Sequence, residues 1–105
     1  MKVLLSVLTA GLLGIAAQTA VAADASALAQ KGACLACHSV DKKILGPSFK
    51  DVAAKYKGQK DAQETLVKKV KAGGSGVWGP MPMPPNTGKL SDDEFKAVVD
   101  WILAQ

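Results

Sequence analysis

Residues 34–38 read Cys34-Leu35-Ala36-Cys37-His38, and the rest of the chain is best understood outward from this pentapeptide. Two thiols three positions apart sit on adjacent turns of a helix, so both can form thioether bonds to the vinyl groups of one porphyrin. A histidine directly after the second thiol then offers its imidazole to the central iron from one side. C-x-x-C-H is accordingly the attachment pattern for c-type haem. Three other chemistries use paired cysteines. A thioredoxin-like redox pair expects a βαβ setting, and no segment of this chain alternates like a strand. A structural zinc site needs four ligands, and no second Cys/His pair is present. A Cys34–Cys37 disulfide would close only a tiny loop and add little stability.

A haem iron held by His38 needs a second axial partner. His38 is the only histidine, so a second imidazole from the same chain is excluded. Met1 opens an apolar leader, which leaves Met81 and Met83 in Pro80-Met81-Pro82-Met83-Pro84-Pro85. The surrounding stretch, Gly73 to Leu90, carries four of the five prolines and five of the ten glycines. Proline restricts φ and stiffens a loop that must hold something in place. Methionine in a core is flexible filler, so a thioether on a locked backbone suits axial ligation, and His/Met is the cytochrome c pair. By this reading either Met81 or Met83 serves. A phosphate-cradling loop fits poorly, because the Lys-Ser/Thr ending and a preceding strand are missing. The Pro82-x-x-Pro85 spacing is only a partial match to a groove-binding motif.

The N-terminus reads as a secretory signal peptide spanning residues 1–23. Lys2 gives a positive start, Val3 to Ala17 is an apolar run, and Ala20-Val21-Ala22-Ala23 supplies a small-residue cleavage site. A retained membrane anchor is the rival, since a span needs about 20 apolar residues. Cleavage after Ala23 leaves residues 24–105 as one domain of 82 residues. A chain of that size buries a modest core and commonly needs a staple such as a cofactor. All 13 basic residues are lysine. Without Lys2 the mature chain has 12 lysines against 9 carboxylates, a formal charge of +3. That balance suits loose docking on an acidic partner. The lack of arginine and the exported location speak against nucleic-acid binding.

The mature segment reads as all-α. Asp24 to about Cys37 forms a first helix. Phe49, Val52, Ala53 and Tyr56 recur at i, i+3, i+4 and i+7 after Pro47, and Gly58 closes this second helix. Asp61 with Glu64 resembles a capping box opening a third helix through Leu66, Val67 and Val70 to Gly73-Gly74. Ser91 with Glu94 is a clearer box, starting a last helix with the apolar face Phe95, Val98, Val99 and Ile102. Trp101 joins that helix as a core residue.

Together these residues resemble a class I c-type cytochrome of the small bacterial cytochrome c-551 type. The likeness rests on Cys34-x-x-Cys37-His38, Gly46-Pro47, Gly76-Val77-Trp78-Gly79-Pro80-Met81-Pro82-Met83-Pro84-Pro85-Asn86, and the last helix with Trp101. It implies about four helices wrapped around one covalently attached haem. It also implies that Met83, directly before Pro-Pro-Asn, is the ligand rather than Met81. Pro47 would accept a hydrogen bond from His38 through its carbonyl, Trp78 would donate its indole N–H to a haem propionate, and the Asn86 amide would approach the Met83 sulfur. Two departures stand out: Lys69 where close relatives have an arginine near a propionate, and Thr87-Gly88-Lys89-Leu90, a slightly longer link to the last helix.

The function expected is single-electron transport in the periplasm by a monomer, not enzymatic catalysis. A filled coordination shell leaves no open position for substrate. The resemblance implies a quinol-oxidising cytochrome complex as donor and a reductase or terminal oxidase as acceptor. Lys31, Lys42 and Lys43 are candidates for a docking ring near the attachment site. A haem enzyme or gas binder with a vacant sixth position is the competing class, marked by rapid carbon monoxide binding to the ferrous protein.

Overall fold

Helices form where the sequence supplies caps and an apolar stripe. The computed structural model describes Gly11 and residues 25–105. The expected signal peptide and its cleavage site lie outside the described residues. No described helix is long and apolar enough to cross a membrane.

The first helix (α1) runs over residues 25–31. It stops short of the expected Cys37, because Ala33 turns into the left-handed region at φ 60°. A separate 3-10 turn, Cys34–Ala36, then carries the cysteines, closed by the N–H groups of Cys37 and His38 on the Cys34 carbonyl. The attachment motif therefore sits on a tight single turn and not on a continuing α-helix. Helix α2, Phe49–Tyr56, starts at Ser48, whose hydroxyl accepts from the Asp51 N–H. Helix α3, Ala62–Ala72, lacks the expected capping box. Asp61 has φ −99° and ψ 13°, not the extended backbone from which a capping side chain reaches back. Glu64 pairs with Lys68 one turn on instead. Helix α4, Asp92–Leu103, does have its box: Ser91 and Glu94 each accept from the other's backbone N–H.

α4 packs on both α2 and α3. The core between them contains Phe49, Val52, Leu66, Val67, Phe95, Val98, Val99 and Ile102, joined by Ala29 and Leu90. Leu90, just before the Ser91 cap, and Phe95, four positions into the helix, are both buried in this cluster, the arrangement of a hydrophobic staple. Trp101 is partly buried and meets Phe49 edge-on at 5.5 Å, as expected of a core residue.

One feature departs from the all-helical expectation. Gly74–Gly76 (β1) and Gly79–Met83 (β2) form a short antiparallel ribbon, pairing Gly74 with Met83 and Gly76 with Gly79 across an irregular register. Its residues are exposed or half-buried, so no buried face imposes the alternation that announces a strand. The class stays all-α, with this ribbon as the arm that carries both methionines.

Candidate functional site

Cys34, Cys37, His38, Pro47, Trp78 and Met83 all line one cavity of about 680 Å³. Met81 and Asn86 line it as well, so every residue singled out from the sequence as holding the cofactor comes to the same place. The volume falls in the ordinary range for cofactor pockets, about 300–1,000 Å³. One wall comes from the 3-10 turn and the loop leading to α2. The other comes from the ribbon, and the floor from core residues of α3 and α4 such as Leu66, Val98 and Val99.

His38 is the most constrained group. Its Nδ1 lies 2.7 Å from the Pro47 carbonyl oxygen. A carbonyl can only accept, so Nδ1 carries the proton and donates. In the neutral ring Nε2 then keeps its lone pair, which fixes the nitrogen available to a metal. The ring also stacks on Phe49, with centroids 5.4 Å apart and planes 22° apart. Gly46 lies so close to the ring that a Cβ there would be 2.4 Å from His38 Cε1. Backbone bonds hold the frame: Gly46 N–H to Cys37 O at 2.8 Å and Phe49 N–H to Ser39 O at 2.9 Å.

The two cysteines are half-buried and unpaired. Burial pushes the Cys34 thiol up from its ordinary value, opposed by a hydrogen bond from its own backbone and by the Lys89 ammonium. Thiol–disulfide chemistry needs the opposite shift, toward thiolate. Among the described residues no three His, Cys, Asp or Glu side chains gather into a metal cluster. What the donor set does fit is a flat macrocycle: two thiols and an imidazole on one wall, a thioether on the facing arm.

On that arm Met83 is half-buried, whereas Met81 is 60% exposed. Gly73 permits the approach of the Met83 segment to α3, since a Cβ on Gly73 would be 2.4 Å from the Met83 carbonyl oxygen. Asn86 is buried, and its amide Nδ2 donates to Val70 O at 3.0 Å and Pro84 O at 3.1 Å. These backbone partners, rather than the Met83 sulfur, take its hydrogen bonds. Trp78 stands at the rim under the Lys55 ammonium, 5.3 Å from the ring centroid.

Electrostatically the rim is basic: Lys43, Lys69 and Lys89 line the cavity against one acid, Asp51. Lys43 was expected near the site. Lys31 instead pairs with Glu94 at 3.0 Å. Lys89 was not singled out from the sequence. The signal that reveals it is the staple, because burying Leu90 carries its neighbour Lys89 to the cysteine side.

The cytochrome c family model matches residues 22–105. The chain belongs to the cytochrome c family. It is 48% identical over 102 residues to cytochrome c-551 of Pseudomonas aeruginosa, covering 97% of this chain and 94% of that protein. It is 54% identical over 81 residues to cytochrome c-552 of Nitrosomonas europaea, covering 77% of each. The crystal structure of wild-type Nitrosomonas europaea cytochrome c552 superposes with a TM-score of 0.70 at 52% identity, covering 74% of this chain and 95% of that one. The class 1 cytochrome MtoD of Sideroxydans lithotrophicus gives 0.66 at 34% identity, over 83% and 95% of the two chains. The chain is thus a class I monohaem c-type cytochrome of the c-551 type, and its family implies a covalently held haem c.

Proposed function

We propose that this cytochrome is a periplasmic single-electron carrier whose haem c is attached through Cys34 and Cys37 and held axially by His38 and Met83. The observation that carries the reading is the convergence of these four side chains on one cavity, with His38 Nδ1 committed to Pro47 and Nε2 left free. Haem, when bound, supplies a one-electron ferric/ferrous couple.

The chain's own residues explain why that couple would serve transport. The Pro47 bond, the Phe49 stack and the Gly46 backbone all contact the imidazole; such partners fix ring orientation and ligand basicity. Pro82, Pro84 and Pro85 stiffen the segment around Met83, which limits how far its sulfur moves between redox states. Two committed axial ligands leave no position for a substrate, in keeping with a carrier and not an enzyme. Thioether ligation raises the potential relative to more basic ligands. Trp78, through its indole N–H, and Lys69 are the groups assigned to the acidic propionates.

Lys43 and Lys89 at the rim, with the exposed apolar Leu35, Ile44 and Leu45, give a surface for brief docking on acidic redox proteins. A quinol-oxidising cytochrome complex is the proposed donor and a reductase or terminal oxidase the proposed acceptor, with the carrier a monomer that binds no nucleic acid. Such interfaces are small and their association rates fall with salt.

The decisive experiment is expression with a haem-attachment apparatus, followed by spectroscopy of the periplasmic product. A covalent haem with a far-red Fe–S band in the ferric state is expected; a product without tetrapyrrole overturns the reading. Met83→Ala abolishes the band, and Met81→Ala leaves it.

A further inference from the structure

The last carbonyls of a helix need partners from outside it, and in α3 the segment after Met83 provides two of them. The Lys69 carbonyl keeps an ordinary helical bond, from the capping Gly73 N–H at 2.8 Å. The Val70 carbonyl takes the Asn86 side chain at 3.0 Å. The Lys71 carbonyl takes two bonds, from the Asn86 N–H at 3.1 Å and from the Thr87 hydroxyl at 3.0 Å. Both lone pairs of that one oxygen are thereby given to consecutive residues of the segment leaving Met83. Lys71 is itself tied to α4, its ammonium pairing with Asp92 and lying 5.6 Å from the Phe95 ring centroid.

Between Met83 and Thr87 stand only Pro84, Pro85 and Asn86. Two fixed φ angles in three residues leave little slack, so a methionine swinging outward must drag residues 86 and 87 with it. Thr87 is exposed, and its methyl is not part of the core. What it contributes is the hydroxyl on Lys71.

We propose that Thr87 is a positioning residue: its hydroxyl, beside the Asn86 N–H, latches the methionine arm to the end of α3 and so sets how readily Met83 leaves the iron. This rests on Met83 being the ligand, as proposed above.

The test uses the ferric holoprotein and imidazole as an incoming ligand. At saturating imidazole the loss of the Fe–S band proceeds at the rate of Met83 release. Thr87→Val keeps the shape and removes the donor, and should raise that rate about twofold, the low end for one neutral hydrogen bond at an exposed site. Thr87→Ser should restore the wild-type rate. Gln63→Ala removes a comparably exposed bond, Gln63 Nε2 to Asp100 at 2.7 Å, from the opposite end of α3. It should lower the melting temperature without changing the exchange rate. The latch is overturned if Thr87→Val exchanges at the wild-type rate, or if Gln63→Ala accelerates exchange equally. A wild-type holoprotein with no Fe–S band would overturn the ligation itself, a separate and recognisable failure.

Discussion

Gly46→Ala tests the histidine wall directly. A Cβ on Gly46 would stand 2.4 Å from His38 Cε1, 2.8 Å from Nδ1 and 3.0 Å from Nε2. Ordinary contact begins at 3.4 Å, so the ring must retreat by about 1 Å or the 44–47 loop must lift by as much. The Phe49 ring, stacked at 5.4 Å, limits retreat on its own side. Either movement also stretches the 2.7 Å bond from Nδ1 to Pro47. Overpacking a fitted site costs about 1–3 kcal/mol. In a domain of this size each kcal/mol lowers Tm by roughly 4–8 °C, so a drop of roughly 8–16 °C is expected at the middle of that range. Loss of a partner behind a ligating histidine weakens the metal bond about 10–100-fold, so the ferric spectrum should shift toward a weaker-field axial ligand. Thermal melts followed in the haem band, with ferric spectra at the same pH, measure both. A variant that melts within 2 °C of wild type (a drop of less than about 0.5 kcal/mol) and keeps its spectrum would refute the claim that Gly46 confines the ring.

Other outcomes follow from single contacts. Gly73→Ala should displace the methionine arm, because the new Cβ would meet the Met83 carbonyl oxygen at 2.4 Å; the Fe–S band should weaken while the covalent haem stays attached. Ser91→Ala removes the α4 capping box and should lower stability by about 1 kcal/mol, read from urea midpoints at unchanged slope. Asp92 is held below the ordinary carboxylate range chiefly by its hydrogen bond from Lys71, and Glu94 chiefly by its bond from the Ser91 N–H. Both therefore bind protons more readily in the unfolded chain, so their contribution is complete above the unfolded values and is lost as pH falls through the folded ones. Stability should thus decline below about pH 4.5, and Asp92→Asn with Glu94→Gln should flatten that decline.

How much of this was legible depends on the kind of constraint. Ser91, Glu94 and the apolar face through Ile102 predicted α4 almost completely, since cap and periodicity act within one segment. Asp61 and Glu64 carry the same letters and make no box, because the chain arrives at Asp61 in a turn and not extended. Residue type cannot reveal that backbone angle. The ribbon was invisible for a different reason: a glycine- and proline-rich stretch pairs there, Gly74 with Met83 and Gly76 with Gly79, with no buried face. The candidate donors Cys34, Cys37, His38, Met81 and Met83 could be gathered from the sequence because C-x-x-C-H and the single histidine restrict the choice by chemistry, and the structure brings all five to one cavity. The partners of Asn86 were not, because Val70 and Pro84 offer backbone oxygens, which every residue has.

The last expectation concerns the chain made without its prosthetic group, as in a Cys34→Ala/Cys37→Ala variant. The cavity is floored by core residues, among them Leu66, Phe95, Val98, Val99 and Ile102, so its occupant completes the apolar core. A domain of this length has only roughly 4–12 kcal/mol of stability to lose, at 0.05–0.15 kcal/mol per residue, and the occupant of an apolar cavity of this size contributes a large part of it. The variant should therefore show broad, non-cooperative melting with little fixed tertiary structure. A sharp thermal transition with native near-UV dichroism in the haem-free variant would mean that the polypeptide packs its own core, and that the cavity is a surface cleft rather than the centre of the fold.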